Sequence, residues 1–401
     1  MMITSLKIMN LIAVSLLSSI SYFAGADDNL APEINGLDSN SDFPSLDKTI
    51  SPLEKAFIDA APADRKDGIS VGELGAEKDT VNKLALEIAD NQHDPYDSLL
   101  IAQNNKLVFE SYYSHGRVNL PHYQASATKA YTALAVGRAI QLGYLTMADL
   151  DKPVVTFFKE LDRKQLVEGA NRITLHHLMS MRSGVRIERG KLRALLKNPE
   201  QLRGQKLVQT YLTHSKPISS DSQTYLYQAS DPSIVMLVLD AVVPGSAGDF
   251  IKNELLDKMA IKIYHWTNSV SGVPETASGA MMTSRDMVKW GSLVINKGKW
   301  NDQQLIPKEF IDKATSKVAQ PVDDDFDFSN FAYGYFFWRT DMKVDDKKYV
   351  VKLAWGGGGQ YVISIEDLNL VIAITARARG IDDKTLELIE ERVLPVFASS
   401  T

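Results

Sequence analysis

The chain has 401 residues and no cysteine. That absence excludes disulfides, zinc–thiolate centres, a thiol nucleophile and a lipid-modified amino-terminal cysteine, so an exported form must be held together by packing alone. Histidine is scarce: seven are present, and none forms a His-x-x-x-His helix pair of the kind that grips a metal. A basic excess is missing too. The formal net charge is −6 and the sequence pI about 5.7, with lysines and arginines scattered, which leaves no footprint for a phosphate backbone and excludes nucleic acid as a partner.

What is present is ordinary globular material, 44% hydrophobic and 23% charged, enough for one large core or two smaller ones. The first seven residues end in Lys7, an apolar stretch runs from Ile8 to Phe23, and Ala24-Gly25-Ala26 supplies a small-x-small cleavage site. This is the pattern of a secretory signal over residues 1–26; an uncleaved membrane anchor is the alternative. The expectation is a bacterial periplasmic or secreted protein with no stable membrane insertion once the signal is removed.

Residues 27–75 show no sustained period and predict a poorly ordered or extended lead-in. Glu77 to Asn91 predicts an amphipathic helix. Ser98 to Tyr113 predicts a hairpin broken at Asn104-Asn105. A helix apolar on all sides is expected from about Ser126 to Leu142, and mostly helical periodicity continues from Asp149 to about Tyr264. Strand-like runs return from Tyr333, the clearest being Tyr361–Ile365 and Val371–Thr375, and a closing helix is expected over Asp382 to Phe397. Strands at both ends around a helical middle imply one split α/β domain, 76–148 with 265–401, an all-helical insertion at 149–264, and a cleft between them. The acidic run Asp323 to Asp325 with Asp327 reads as a solvated loop rather than a metal site.

Three segments carry chemistry. In Ser126-Ala127-Thr128-Lys129 the helical spacing puts the lysine amine on the face of the serine hydroxyl. An apolar surround and the positive end of a helix dipole both disfavour an ammonium ion there, so a neutral lysine is available to take the serine proton. The motif alone is weak, because a helix cap with an incidental lysine has the same spelling, and Ser45-Leu46-Asp47-Lys48 repeats it in the lead-in, where no helix is expected to bury it. In Tyr225-Leu226-Tyr227-Gln228-Ala229-Ser230-Asp231-Pro232, Asp231-Pro232 opens a helix and leaves Tyr227 in the preceding loop, placed either to relay a proton or simply to pack. In Ala354-Trp355-Gly356-Gly357-Gly358-Gly359-Gln360, glycines between two strands let Gly357 or Gly358 join the Ser126 N–H as an oxyanion hole. A flexible hairpin remains the alternative, and a nucleotide loop is rejected because no helix follows the glycines. His176 and His177 read as structural. Arg186, Arg189 and Arg193 read as a solvated basic face before an anion site.

In this order and spacing the three segments resemble the serine β-lactamase and penicillin-recognising family, especially its class C-like branch. The resemblance runs from about Glu77 to the C-terminus and includes Leu142-Gly143-Tyr144-Leu145, Ile173 to Gly184 and Gly279 to Asp286. It implies an α/β (α+β) fold, an antiparallel sheet flanked by helices with an all-helical insertion domain, and a catalytic set of Ser126, Lys129 and Tyr227. The family's Tyr-x-Asn falls on Tyr227-Gln228-Ala229, without the Asn. Its Lys-Thr-Gly falls on Trp355-Gly356-Gly357, where an indole replaces a cation that pairs with a substrate carboxylate. Trp-Gly-Gly here resembles family VIII carboxylesterases, and the tail is similar to 6-aminohexanoate-dimer hydrolases. The implied function is acyl transfer to water from an ester or small amide, through an acyl-enzyme and without metal or organic cofactor. The alternatives are a β-lactamase or D,D-peptidase, and a non-catalytic cell-envelope binding protein on the same fold.

Overall fold

Apolar runs from distant parts of the chain pair with one another and set the frame of the molecule. The computed structural model describes residues 30–321, 329–378 and 380–399; the signal read at 1–26 and the acidic run at 323–327 lie outside them. The strands of the main sheet are β1 (Phe57–Asp59), β2 (Ser70–Val71), β3 (Tyr96–Gln103), β4 (Lys106–Tyr112), β5 (Ser329–Tyr333), β6 (Trp338–Val344), β7 (Lys347–Gly356), β8 (Gln360–Ile365) and β9 (Leu370–Ala376). Their order is β1-β4-β3-β9-β8-β7-β6-β5, with β2 parallel beside β4 and every other pairing antiparallel. The join of the two ends is β3 against β9, with Ile101 opposite Ile372. Every residue of β9 is buried, which is why it reads as an unbroken apolar run rather than an alternating one.

The helices that matter for the site are α1 (Phe43–Thr49), α2 (Lys78–Ala89), α3 (Thr128–Gln141), α4 (Leu175–Met179), α5 (Arg189–Leu196), α6 (Gln205–His214), α7 (Ser230–Val242) and α8 (Ser284–Ile295). Helix α8 is buried throughout and lies across β9, β8 and β3. Its approach requires Gly291, where an added Cβ would stand 2.3 Å from Val371 Cγ1. From Met147 to Leu256 every regular element is helical, and α7 packs on α3 and α4. Among the described residues no single helix is long and apolar enough to cross a membrane.

Two expectations need correction. Residues 30–75 are folded: Phe43 of α1 and Ile50 are buried in a small apolar cluster with Leu120 and Met281, and β1 pairs with β4. Single anchors spaced too far apart to form a period hold this segment, so periodicity could not reveal it. Ser45 and Lys48 therefore do sit on a helix, but both are exposed. The closing helix is interrupted: a π-helical turn at Ile389–Val393 separates Asp382–Leu388 from Leu394–Ala398. Pro395 has no N–H to continue the α-helical ladder, and a widened turn just before it absorbs the missing bond.

Candidate active site

The serine at position 126 stands on a constrained corner. Ala125–Ala127 is a single 3-10 turn leading into α3, and Ala125 has φ +43°, a left-handed conformation that a non-glycine residue keeps only when its surroundings enforce it. The enforcement comes from Gln124, which is fully buried. Its backbone N–H donates to Ala280 O at 2.9 Å, its Nε2 to His122 O at 3.0 Å, and its Oε1 accepts from the Tyr131 hydroxyl at 2.8 Å. Gly356 seals the corner from the sheet side: a Cβ there would lie 2.1 Å from Gln124 O and 3.1 Å from Ala127 N. This glycine thus serves the approach of β7 to the serine turn. Next to it, Gly357 is exposed with no atom within 4 Å of an added Cβ, and Gly358 adopts φ +91° in the turn to β8.

One helical turn after the serine, Lys129 Nζ donates to Ser126 Oγ at 2.9 Å and to Ala277 O at 2.8 Å. The lysine is 3% exposed. Desolvation lowers its pKa to about 8, against a weaker upward pull from Glu275. Ala277 reaches this place through a short three-stranded ladder in which Ala280–Met282 pairs with His122–Tyr123 on one side and His265–Trp266 on the other. The Glu275 carboxylate shapes that turn by accepting from Ala277 N at 2.8 Å.

Tyr227 closes the group from the loop before α7. Lys129 Nζ lies 4.8 Å from its ring centroid. Desolvation raises the phenol to about 12, with the nearby Ser126 hydroxyl pulling the other way. The residue as a whole is 39% exposed, so the shift belongs to a hydroxyl end turned inward while other parts of the side chain meet solvent. The loop is fixed by Asp231, which is completely buried: its Oδ1 accepts from Ser183 Oγ at 2.7 Å and from Gln228 Nε2 at 2.6 Å. Burial raises the pKa of this carboxyl to about 6.

Trp355 does not stand alone. It stacks on Tyr361 with ring centroids 5.9 Å apart and meets Trp338 at 5.4 Å, and Trp338 in turn lies 5.6 Å from Tyr227. An aromatic wall therefore runs from the glycine turn to the catalytic candidate Tyr227. Ser126, Lys129 and Tyr227 are brought together; Trp355 and Gly356 to Gly358 border them through β7. Sequence reading missed Gln124, Ala277, Asp231, Glu275 and Trp338. The Asp231-Pro232 pair was visible only as a helix start, and the others had no local signal. His176 bonds the Tyr335 hydroxyl at 2.7 Å and His177 bonds Thr174 Oγ1 at 3.0 Å, both structural contacts. Arg186 donates to the carbonyls of Val185, Ser222 and Thr224, while α5, carrying Arg189 and Arg193, has no buried residue.

Residues 81–392 match the family model described as Beta-lactamase. A curated protein of Alkalihalophilus pseudofirmus, described as uncharacterized, is 23% identical over 230 residues; the match covers 55% of this chain and spans 64% of that protein's length. Similar solved structures include a provisionally assigned 6-aminohexanoate-dimer hydrolase from Bacillus anthracis (15% identity, TM-score 0.57, 92% of this chain and 99% of that one). A D-stereospecific amidohydrolase from a Streptomyces species (15%, 0.57, 79% and 99%) and a class C beta-lactamase mutant (15%, 0.58, 81% and 97%) are also similar. At such identities these likenesses concern the fold.

Proposed function

Because this chain belongs to the beta-lactamase family of serine hydrolases, we propose that it hydrolyses an ester or small amide through an acyl-enzyme on Ser126. The observation that carries the reading is the 2.9 Å contact between Ser126 Oγ and a buried lysine amine whose pKa lies near 8. At pH 7 about a tenth of such an amine is neutral, against less than about a thousandth for an ordinary lysine. The neutral amine takes the Ser126 proton as Oγ bonds to the carbonyl carbon. Backbone N–H groups at Ser126 and at Gly357 or Gly358 hold the oxyanion. A phenol raised to about 12 stays protonated through the working range, so Tyr227 acts as donor: it protonates the departing alkoxide or amine as the carbon–oxygen or carbon–nitrogen bond breaks, and regains its proton through Lys129. Water then attacks the acyl carbonyl by the same route and releases the acid and free Ser126. The leader read at 1–26 supports action in the periplasm or outside the cell.

Short-chain nitrophenyl esters are the test. The wild type should hydrolyse them and a fluorophosphonate should label Ser126, with both lost in Ser126→Ala. Equal rates in wild type and Ser126→Ala would end the proposal, and a folded protein that neither turns over nor labels would favour a binding role. The Trp355 and Ala229 positions argue against a β-lactam as the preferred substrate; a stable penicilloyl adduct on Ser126 would restore that reading.

A further inference from the structure

A cavity of about 280 Å³ is lined by sequence neighbours of the site residues. Gln228 and Ala229, which directly follow Tyr227, line it on one side, and Glu275, which bonds the Ala277 N–H beside Lys129, lines it on another. The rest of the wall is mostly aliphatic, from Val185, Ile187, Leu192, Leu196, Leu207 and Val270, with Tyr211 and the serines at 230, 233 and 269 among them. Helix α5 supplies Leu192 and Leu196 yet buries none of its residues, and Leu196 and Val270 stay 49% and 39% exposed. Half-open aliphatic surface next to a reaction centre is unsatisfied until an apolar group fills it.

The chemistry of this cavity limits its occupant. Glu275 places a carboxylate on its wall, which opposes a negatively charged guest. Arg186, the basic group nearest in sequence to Val185 and Ile187, is engaged by three backbone carbonyls. Ala229 presents a methyl group to the cavity where an amide side chain would bring polar atoms.

We infer that this cavity binds an uncharged, unbranched alkyl chain carried by the scissile ester or amide, so that the preferred substrate is a neutral medium-chain acyl compound and not an anionic one. This rests on the acyl-enzyme reading above. The contact with α5 closes an existing apolar face over the chain, and burial of each methylene raises the specificity constant until the cavity is full.

The test is kcat/KM for nitrophenyl acetate, butyrate, hexanoate and octanoate, with alkyl acetates of the same lengths to show which half of the substrate carries the chain. A rise of about threefold per added methylene in either series is expected. The hexanoate should exceed its adipate counterpart, whose chain ends in a carboxylate, by about tenfold or more. Two variants narrow or charge the cavity: Ala229→Leu should lower the long-to-short ratio about tenfold, and Leu192→Asp, on a helix with no fully buried residue, should do the same. Acetate hydrolysis with flat dependence on chain length, a preference for the adipate ester, or unchanged ratios in both variants would overturn this inference alone. Absence of all ester hydrolysis together with no Ser126 labelling would overturn the acyl-enzyme reading and this inference with it.

Discussion

Two of the regions that bury a cation in this molecule treat it in opposite ways. Between the sheet and α8, Arg285 is 2% exposed and is met by Asp67 Oδ2 at 2.7 Å, Glu110 Oε2 at 3.0 Å and the Ala63 carbonyl. On the same helix Lys289, 1% exposed, faces Asp286 at 2.8 Å. Lys129 is as deeply buried but has only a hydroxyl and a carbonyl as hydrogen-bond partners. A carboxylate at contact distance fixes a cation permanently, whereas neutral acceptors leave a charge that the site can give up. At Arg285 and Lys289 a carboxylate supplies the counter-charge; at Lys129 none is in hydrogen-bond contact, which is what the proposed proton transfer requires.

Exchanging the cations breaks this comparison most strongly at the active site. Lys129→Met should lower ester hydrolysis by about three to four orders of magnitude, measured as kcat/KM. The same variant should be no less stable at pH 7 than the wild type. The folded-state pKa of Lys129 is depressed from 10.5 to about 8, so the unfolded chain binds more protons between those values. Stability therefore rises with pH across that window and is penalised below it, by at most about 3 kcal/mol. Denaturant titrations at pH 7 and pH 10 should show that rise in the wild type and lose it in Lys129→Met.

At the other cation the signs reverse. Arg285→Met leaves Glu110 buried without its partner and should cost about 3–5 kcal/mol of stability, while the rate of Ser126 labelling per folded molecule stays as in the wild type. A smaller effect is expected for Tyr227→Phe, about a hundredfold in kcat for alkyl esters and amides. The loss should shrink for nitrophenyl esters, whose leaving group departs without a proton. Equal losses on both substrates would remove the donor role from Tyr227.

The smallest change concerns Asp231. Its folded pKa is raised from 3.8 to about 6, so the folded state binds more protons than the unfolded one in that interval, and stability falls as pH rises through it, by at most about 3 kcal/mol. Asp231→Asn should flatten this dependence, keep the acceptor for Ser183 and Gln228, and leave activity within a few-fold.

The strands β3, β4, β8 and β9 and the buried helix α3 were legible because each carries its own apolar run and turn signals. Ser126 and Lys129 were legible because their spacing is local, and Tyr227 because Asp231-Pro232 marks the helix after it. What escaped was set by approach over distance. Ala277 is 148 residues from Lys129 in sequence, and nothing in its neighbours announces a carbonyl aimed at an amine. Gly356 was read as one of a run of glycines between two strands, whereas its lack of a side chain makes room for the Gln124 carbonyl. The folded segment before residue 75 escaped because isolated anchors such as Phe43 leave no period.

The central claim is that Ser126 is reactive because the amine beside it gives up its charge near pH 8. Its most direct test is the pH dependence of the second-order rate of Ser126 labelling by a fluorophosphonate, in the wild type and in Lys129→Met. The account predicts a rate that climbs and levels with a midpoint near pH 8 in the wild type, and a slow rate without that step in the variant. A wild-type rate still climbing beyond pH 10, or the same midpoint in both proteins, would contradict it.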